Sequence, residues 1–294
     1  RSAKKEFFQI LQEKGDADFM AEEFIGSRRK SSKPRNIKYN NQKLVLSLFR
    51  YADKLSVSEI SERVGWSKTT ITKITSELVQ KKLILSAGKG ESTDEGGKKP
   101  ELFVFNPTYQ YIILVNLPFD EVRVHIMDLK SQVVFDYSKK ISILETDYAA
   151  CIESASHGIV EAMEQFGITG EQVCGIMVYG DGIIDSSHGI IRYSVHHRWP
   201  RNLPVLEDFA RNLPFEAPLY IENGSSLCGY ADLLDPVNQP LRSLIHLSVD
   251  NHTGGCVIKN HELQNGTHGF MSEFGHTIID PHSSLSCICG AKGC

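Results

Sequence analysis

Apolar residues recur at helical spacing three times in the front of the chain, and this pattern predicts three consecutive helices. The stripes lie at residues 45–52, 57–64 and 71–78. The run Ser56-Val-Ser-Glu59 has the pattern of a capping box, which places the start of the second helix. Ser67 precedes the third stripe and is a candidate cap for the third helix.

Two short β segments follow these helices. Residues 83–85 and 101–105 predict strands, and the Gly- and Lys-containing stretch 88–99 lies between them. Three helices followed by a hairpin are the elements of a winged helix-turn-helix. We therefore predict such a domain at residues 41–106, preceded by an N-terminal extension or linker at residues 1–40.

From residue 107 onward the pattern becomes that of an α/β domain. Three consecutive strands are predicted at residues 111–116, 121–128 and 132–137, followed by a long helix at residues 148–166. Further strands are predicted at 173–178, 219–221, 243–249 and 254–259, helices at 205–211 and 224–234, and a long loop between 178 and Trp199. This order is that of a ribonuclease H-like, actin-like fold of two lobes, so residues 107–294 are predicted to form one such domain.

Charge is distributed unevenly along the chain. Residues 1–105 hold 21 Lys+Arg and 14 Asp+Glu, a net charge of +7, whereas residues 106–294 carry a net charge of −11. A basic front favours contact between that part and a polyanion, and chance variation between domains is the alternative. The basic run at residues 27–35 is typical of a linker, with a flexible arm on DNA phosphates as the alternative.

The composition places the chain among ordinary globular proteins, with 41% hydrophobic and 23% charged residues. No apolar run approaches the roughly 18 residues that a membrane helix needs. The first residues also lack the sustained apolar stretch of a signal peptide. We therefore predict a cytoplasmic protein without a membrane partner.

The third predicted helix has the side chains of a DNA recognition helix. In a helix-turn-helix, residues near the start of the second helix of the motif contact base edges in the major groove. Here these residues are small, hydroxylated or basic, and such side chains bond bases or phosphates. The predicted DNA-binding residues are Ser67, Lys68, Thr69, Thr70, Thr72 and Lys73 in this helix, and Lys98 and Lys99 at the tip of the hairpin. A winged helix that contacts another protein is the alternative.

Three of the seven cysteines, Cys287, Cys289 and Cys294, lie close together in residues 287–294. With His276 they offer three sulfurs and one nitrogen, a donor set that suits tetrahedral zinc and leaves no open position. The predicted site is therefore structural. A cluster of free thiols or a redox pair is the alternative reading.

Taken together, these residues resemble the ROK family, which groups sugar-responsive repressors with sugar kinases. The resemblance covers residues 41–294 and is greatest to the repressor branch, whose members carry an N-terminal winged helix. The motifs that carry it are Ser67–Ile74, Gly96–Pro100, Tyr179-Gly180 with Asp185, Ile221–Asn223, Asn260–Gly266, Glu273–His276 and Cys287–Cys294.

The resemblance implies a zinc ion on His276 and the three clustered cysteines, in agreement with the spacing. It also implies that Asn223 and Glu273 bond sugar hydroxyls, in a pocket that Gly180 lines and His276 reaches. An amide and a carboxylate supply the donors and acceptors that hydroxyls need. On the residues alone, Asn223 is equally a helix cap before Gly224.

Departures from the family predict a protein without kinase activity. In the family's kinases an Asp follows the Asn and acts as general base, but here that position is Gly224, which cannot accept a proton. Pro118 occupies the first nucleotide hairpin, and Asp250 places a carboxylate where a phosphate would lie in the second. We therefore expect no catalytic residues.

Members of the family continue beyond the cysteine cluster, so the resemblance implies that the second lobe is incomplete in this chain. The resulting hypothesis is a regulator of carbohydrate-metabolism genes, a repressor that binds a palindromic DNA operator as a homodimer or homotetramer. A sugar or sugar phosphate would close the two lobes and change the spacing of the winged helices. The alternatives are a sugar kinase with an accessory DNA-binding domain and a regulator controlled by a protein partner.

Overall fold

A computed structural model describes residues 34–49, 52–90, 99–117, 120–141, 147–195, 197, 199–238, 241–249, 253–266, 269–271 and 273–294. Within these ranges the chain forms two compact units, one ending at Tyr109 and the other beginning at Gln110. Residues 1–33 of the predicted N-terminal extension lie outside the described ranges. No helix in these ranges is both long enough and apolar enough to cross a membrane.

The first unit consists of three helices and a small antiparallel sheet. Its elements are α1 (Pro34–Leu48), β1 (Leu55–Ser56), α2 (Val57–Val64), α3 (Lys68–Gln80), β2 (Ile84–Lys89) and β3 (Glu101–Phe105). The strand order is β1-β3-β2, and Leu55 lies opposite Phe103. Strand β1 was not predicted, because two residues are too few to show the alternation of a strand.

The predicted apolar stripes form the core of this unit. Val45, Ile60, Ile71 and Leu78 come from three different helices and are fully buried against one another. Helix α1 begins at Pro34, ahead of the predicted start, and the apolar Ile37 and Tyr39 in its first half are exposed and form no buried stripe. Proline is well suited to a first helical position, since its missing N–H would have no intrahelical partner there.

The capping box predicted at the start of α2 is confirmed. The backbone N–H of Ser56 donates to Glu59 Oε2 at 2.7 Å, and Ser56 Oγ accepts from the backbone N–H of Glu59 at 3.3 Å. The hydrogen bonds from Ser56 lower the pKa of the Glu59 carboxyl. Gly65 ends the helix in the left-handed conformation, with a φ of 68°.

Replacing Ser56 with alanine is expected to destabilise α2 by about 1 kcal/mol, because the first backbone N–H groups of the helix lose their acceptor. Amide hydrogen exchange in α2 should therefore become faster. Ser58→Ala is the matched control, since Ser58 is exposed inside the same helix and caps nothing. Equal exchange rates in the two variants would show that the cap contributes nothing.

The second unit is an α/β domain, as predicted. Its elements are β4 (Tyr111–Asn116), β5 (Glu121–Asp128), β6 (Val133–Lys140), α4 (Tyr148–Phe166), β7 (Val173–Gly180), β8 (Ile183–Asp185), β9 (Ile190–Tyr193), α5 (Val205–Asn212), β10 (Leu219–Asn223), α6 (Gly224–Leu234), β11 (Leu244–Val249), β12 (Thr253–Lys259) and β13 (Glu262–Leu263).

The main sheet of this unit is mixed, with the strand order β10-β7-β4-β5-β6. Strands β10, β7 and β4 are parallel, whereas β4, β5 and β6 form an antiparallel meander. Helix α4 packs closely on the meander, and a Cβ added at Gly158 would lie 2.5 Å from Val122 Cγ1. A second sheet has the order β11-β12-β13.

The prediction of one long loop between β7 and Trp199 is wrong in part, because this segment contains the hairpin β8–β9. Its strands have three and four residues and give no clear alternation. Gly182, between β7 and β8, and Gly189, in the turn between β8 and β9, resemble loop residues in the sequence and adopt φ values of 104° and 73°.

Candidate functional site

A cavity of about 510 Å³ lies in the second unit, beyond the carboxyl ends of β7 and β10. Parallel strands end at the same edge of a sheet, and α/β proteins bind ligands beyond that edge. The hairpin β8–β9, the start of α6, strand β12 and residues 265–276 supply the remaining walls. The polar lining includes Asp181, Glu222, Asn223, Ser225, Asn265, Glu273 and His276.

Asn223 lies at the rim of this cavity and is also the N-cap of α6. Its Oδ1 accepts from the backbone N–H of Ser225 at 2.9 Å, and its Nδ2 donates to the carbonyl of Gly182 at 3.2 Å. The cap that the sequence allowed is therefore present. Because an amide nitrogen carries two hydrogens, the second hydrogen of Nδ2 is suited to a ligand acceptor.

Glu273 projects into the same cavity from the segment before the cysteine cluster. Burial raises the pKa of its carboxyl and the nearby charge of Asp181 adds to this, while His276 acts in the opposite direction. A carboxyl in such surroundings gains from a hydroxyl that donates to it, since burial otherwise disfavours the charged form.

The cavity also contains residues that sequence reasoning missed. Glu222 is only 3% exposed, and its Oε1 accepts from the backbone N–H of Asn223 at 2.9 Å. The signal in the sequence was a carboxylate at the end of an apolar strand, which has no place in an ordinary core. The predicted Gly180 lies against Leu117, and its neighbours Asp181 and Gly182 line the cavity instead.

The cysteine cluster brings together the four residues proposed as metal ligands. One ligand atom from each of His276, Cys287, Cys289 and Cys294 lies within 4.8 Å of all the others. Cys287 Sγ is 3.6 Å from His276 Nδ1, and Cys289 Sγ is 3.9 Å from Cys294 Sγ. The arrangement is that of a site for a single metal ion.

Backbone turns hold the cysteine cluster in place. The N–H of Gly290 donates to the Cys287 carbonyl at 3.0 Å, with Gly290 at a φ of 91°. A hydrogen bond from the backbone N–H of Cys289 contributes most to lowering the pKa of the Cys287 thiol to about 6. At neutral pH, Cys287 is therefore ready to act as a thiolate ligand.

The cysteine cluster and the cavity share two residues. His276 and Cys289 belong to the cluster and also line the cavity. The short helical turn Phe274–His276 connects Glu273 directly to His276. Any ion held by the cluster would therefore fix one wall of the cavity.

The start of α3 presents a polar, exposed surface in the first unit. Ser67 caps the helix, since its Oγ accepts from the backbone N–H of Thr70 at 3.2 Å. Thr69, Thr72 and Lys73 are exposed on one face, and the predicted set missed Ser76, which continues that face one turn later. Lys68, Thr70 and Lys99 are also exposed, whereas Lys98 lies outside the described residues.

The position after Asn223 has room for a side chain. A Cβ added at Gly224 would meet only Tyr179 Cδ2, at 3.8 Å. The glycine is therefore not required by packing. The other two residues invoked against kinase activity, Pro118 and Asp250, lie outside the described residues.

The chain belongs to the ROK family, whose sequence profile matches residues 115–294, more than half of the chain. A xylose repressor of Bacillus spizizenii is 27% identical over 261 residues, covering 88% of this chain and 65% of its own length. The DNA-binding transcriptional repressor Mlc of Escherichia coli is 25% identical, covering 88% of this chain and 62% of its own.

A solved structure has the same fold as this chain. It is that of a ROK family transcriptional regulator, a homologue of the E. coli Mlc protein, with a TM-score of 0.64 and 22% identity. The match covers 88% of this chain and 63% of the other. The chain thus spans less than two thirds of the length of each of these relatives.

Proposed function

We propose that this protein is a sequence-specific DNA-binding transcriptional regulator, a repressor of carbohydrate-metabolism genes, whose DNA affinity is controlled by a sugar or sugar phosphate. The observation that carries the proposal is the exposed polar start of α3, from Ser67 to Lys73, in a chain of the ROK family whose second unit holds a polar cavity. Two relatives named as repressors support the same reading.

The first unit fits a winged helix-turn-helix. Helices α2 and α3 are joined through the left-handed Gly65, and α3 is followed by the hairpin β2–β3. In this motif the second helix enters the major groove with its first residues on base edges. Thr69, Thr72 and Lys73 supply methyl, hydroxyl and ammonium groups for that role, and Lys99 suits a backbone phosphate beside the wing.

The cavity fits a polyhydroxylated ligand. Asn223 offers a donor, and Glu222, Asp181 and Glu273 offer acceptors, so the hydroxyls of a sugar find partners of both kinds. His276 serves two roles, because a metal at Nδ1 leaves the other ring nitrogen for a hydroxyl.

The cysteine cluster fits a structural zinc ion. Tetrahedral zinc with Zn–S bonds of about 2.3 Å separates two bound sulfurs by about 3.8 Å. The observed separation of 3.9 Å between Cys289 and Cys294 agrees with this geometry. Four protein ligands leave no position for a substrate, so the ion would hold the wall that carries Glu273 and His276 rather than take part in chemistry.

Control by a ligand requires two states of the protein that bind both the ligand and the operator with different affinities. A repressor of this type works in the cytoplasm as a homodimer or homotetramer, because a palindromic operator presents two equivalent half-sites to a symmetric protein.

Kinase activity is not proposed, since Gly224 offers no general base. A coupled assay that found sugar-dependent ATP turnover would overturn this assignment.

The experiment that tests the function is selection of binding sites from a random DNA library, followed by fluorescence anisotropy with the selected site. We expect one palindromic sequence to bind at least about 1,000-fold tighter than unrelated DNA at physiological salt. Addition of sugars and sugar phosphates should identify a ligand that changes this affinity. Equal binding to all DNA sequences would contradict sequence-specific DNA binding. If no sugar or sugar phosphate changed the DNA affinity, regulation by a ligand would be contradicted.

Replacing Asn223 with alanine is expected to weaken ligand binding about tenfold or more, because a hydrogen bond to the ligand is lost and the start of α6 loses its cap. Calorimetric titration with the identified ligand measures this loss. Asn212→Ala is the control, since Asn212 ends α5 and its side chain donates to the Asp208 carbonyl at 2.8 Å, outside the residues that line the cavity. Unchanged affinity in Asn223→Ala would remove Asn223 from the site.

A further inference from the structure

A second cavity, of about 850 Å³, adjoins the one described above. The two cavities share part of their lining, from the hairpin β8–β9 and from the segment around Asn265: Ile183, Ile184, Tyr193, Asn265, Gly269 and Phe270. The two cavities are therefore neighbours on the same part of the second unit.

The two cavities differ in charge. The charged side chains that line the first include the carboxylates of Asp181, Glu222 and Glu273. The second is lined by Arg192, Arg201 and His188, with Asp185 as the single carboxylate among its described lining residues. With histidine neutral, the second cavity thus carries a net positive charge.

Asp185 does not neutralise both arginines, because its own partners already occupy it. Its Oδ2 accepts from Arg192 Nη2 at 2.7 Å and lies 2.9 Å from His188 Nδ1, and its Oδ1 accepts from Ser187 Oγ at 2.6 Å. Partial burial opposes ionisation, but these hydrogen bonds hold the pKa of the Asp185 carboxyl well below its ordinary value. Arg192 is thus paired and held in place.

Arg201 does not take part in the hydrogen-bond network around Asp185. Its guanidinium lies over the ring of Tyr193, 4.9 Å from the centroid, and within the described part of the chain no carboxylate pairs with it. Arg201 is exposed, so its guanidinium N–H groups are accessible to a bidentate acceptor. Arg192 also bonds Asn202 at 3.2 Å, which keeps it on the same wall of the cavity.

We propose that the second cavity binds an anionic group of the ligand through Arg201, supported by Arg192 and His188, so that the effector is a phosphorylated or carboxylated sugar rather than a neutral one. This inference rests on the proposed function, since it assumes that the sugar occupies the first cavity. A planar guanidinium that presents two parallel N–H groups suits phosphate and carboxylate oxygens alike. The sugar hydroxyls bind at the end of the site that contains Asp181, Glu222 and Glu273. The anionic group of the ligand binds at the end that contains Arg201.

The test is calorimetric titration of the full chain with matched ligands: glucose, xylose and mannose, their monophosphates, the corresponding uronates, and inorganic phosphate alone. The variants are Arg201→Gln, Arg201→Lys and the control Arg211→Gln, which removes an exposed arginine of α5 paired with Asp208 and outside both cavities. The monophosphate and uronate arms distinguish the two sources of the negative charge.

We expect one sugar to bind at least about tenfold tighter in an anionic form than in its neutral form, the gain typical of one charge-assisted hydrogen-bond pair. Arg201→Gln should abolish that preference, so that the neutral and anionic forms of the sugar bind alike. Arg201→Lys should keep part of the preference, and Arg211→Gln should keep all of it.

Three results would overturn the inference. The neutral and anionic forms bind equally well, or the preference survives in Arg201→Gln; in both cases the proposed sugar site still stands. Alternatively, neither form of any sugar binds while operator binding persists, which refutes the sugar site together with its anionic end.

Discussion

Replacing Cys289 with serine is expected to remove the zinc ion proposed for the cysteine cluster, to unfold residues 273–294 locally and to abolish ligand binding. Zinc contributes on the order of 10 kcal/mol to the folding of small sites of this type, and a serine hydroxyl does not replace a thiolate ligand. Because His276 and Cys289 both line the cavity, loss of the ion also releases the wall that carries Glu273. The first unit has its own core and should stay folded.

Metal analysis of the purified protein should find one zinc ion per chain in the wild type and none in Cys289→Ser. Amide exchange should accelerate within residues 273–294 and stay unchanged in α2 and α3. Cys228→Ser is the matched control, because Cys228 is an exposed cysteine of α6 outside the cluster. A wild type purified without zinc, or a Cys289→Ser variant that keeps it, would show that the cysteines are free thiols.

Reversing the charges of Lys68 and Lys73 together is expected to reduce operator affinity at least about 100-fold, since each lost contact to DNA costs about 1–3 kcal/mol. Both residues are exposed at the start of α3, and a helix-turn-helix contacts the major groove through the start of its second helix. The slope of log affinity against log salt should also become shallower by about two, because two phosphate or base contacts no longer release counterions.

Fluorescence anisotropy with the selected operator measures both quantities. The double variant Lys130→Glu with Lys140→Glu changes the net charge by the same amount on exposed lysines of the second unit, and it should bind almost normally. If both double variants lose affinity equally, the effect is one of overall charge, and α3 does not read DNA. That outcome would favour the alternative in which the first unit binds another protein.

The helices and most strands followed from the sequence because their signals are local. Helices α4 and α6 occupy the predicted ranges, Tyr148–Phe166 and Gly224–Leu234. The capping box at Ser56 and the left-handed Gly65 set the ends of α2 through contacts between near neighbours. Strands β1, β8, β9 and β13 were missed because each has only two to four residues, too few for an alternation to show.

The candidate site was only partly visible before folding. Asn223, Glu273 and the cysteine cluster were assigned roles through their motifs, whereas Glu222 and Asn265 lay inside motifs without an assigned role and Asp181 lay outside them. They come together because β7 and β10 are parallel and end at the same edge, an arrangement that depends on pairing of Asn223 with Gly180. Arg201 is a similar case, since only the fold places it over Tyr193.

The sequence by itself determined the two kinds of structure in the chain, the polar start of α3 and the four residues of the cysteine cluster. Each depends on residues near one another along the chain, where spacing alone states the geometry. The tertiary structure decided that His276 and Cys289 also belong to the cavity, and that a second, positively charged cavity adjoins it. Those features depend on strand pairing and packing between distant segments, and local patterns of polar and apolar residues do not encode such contacts.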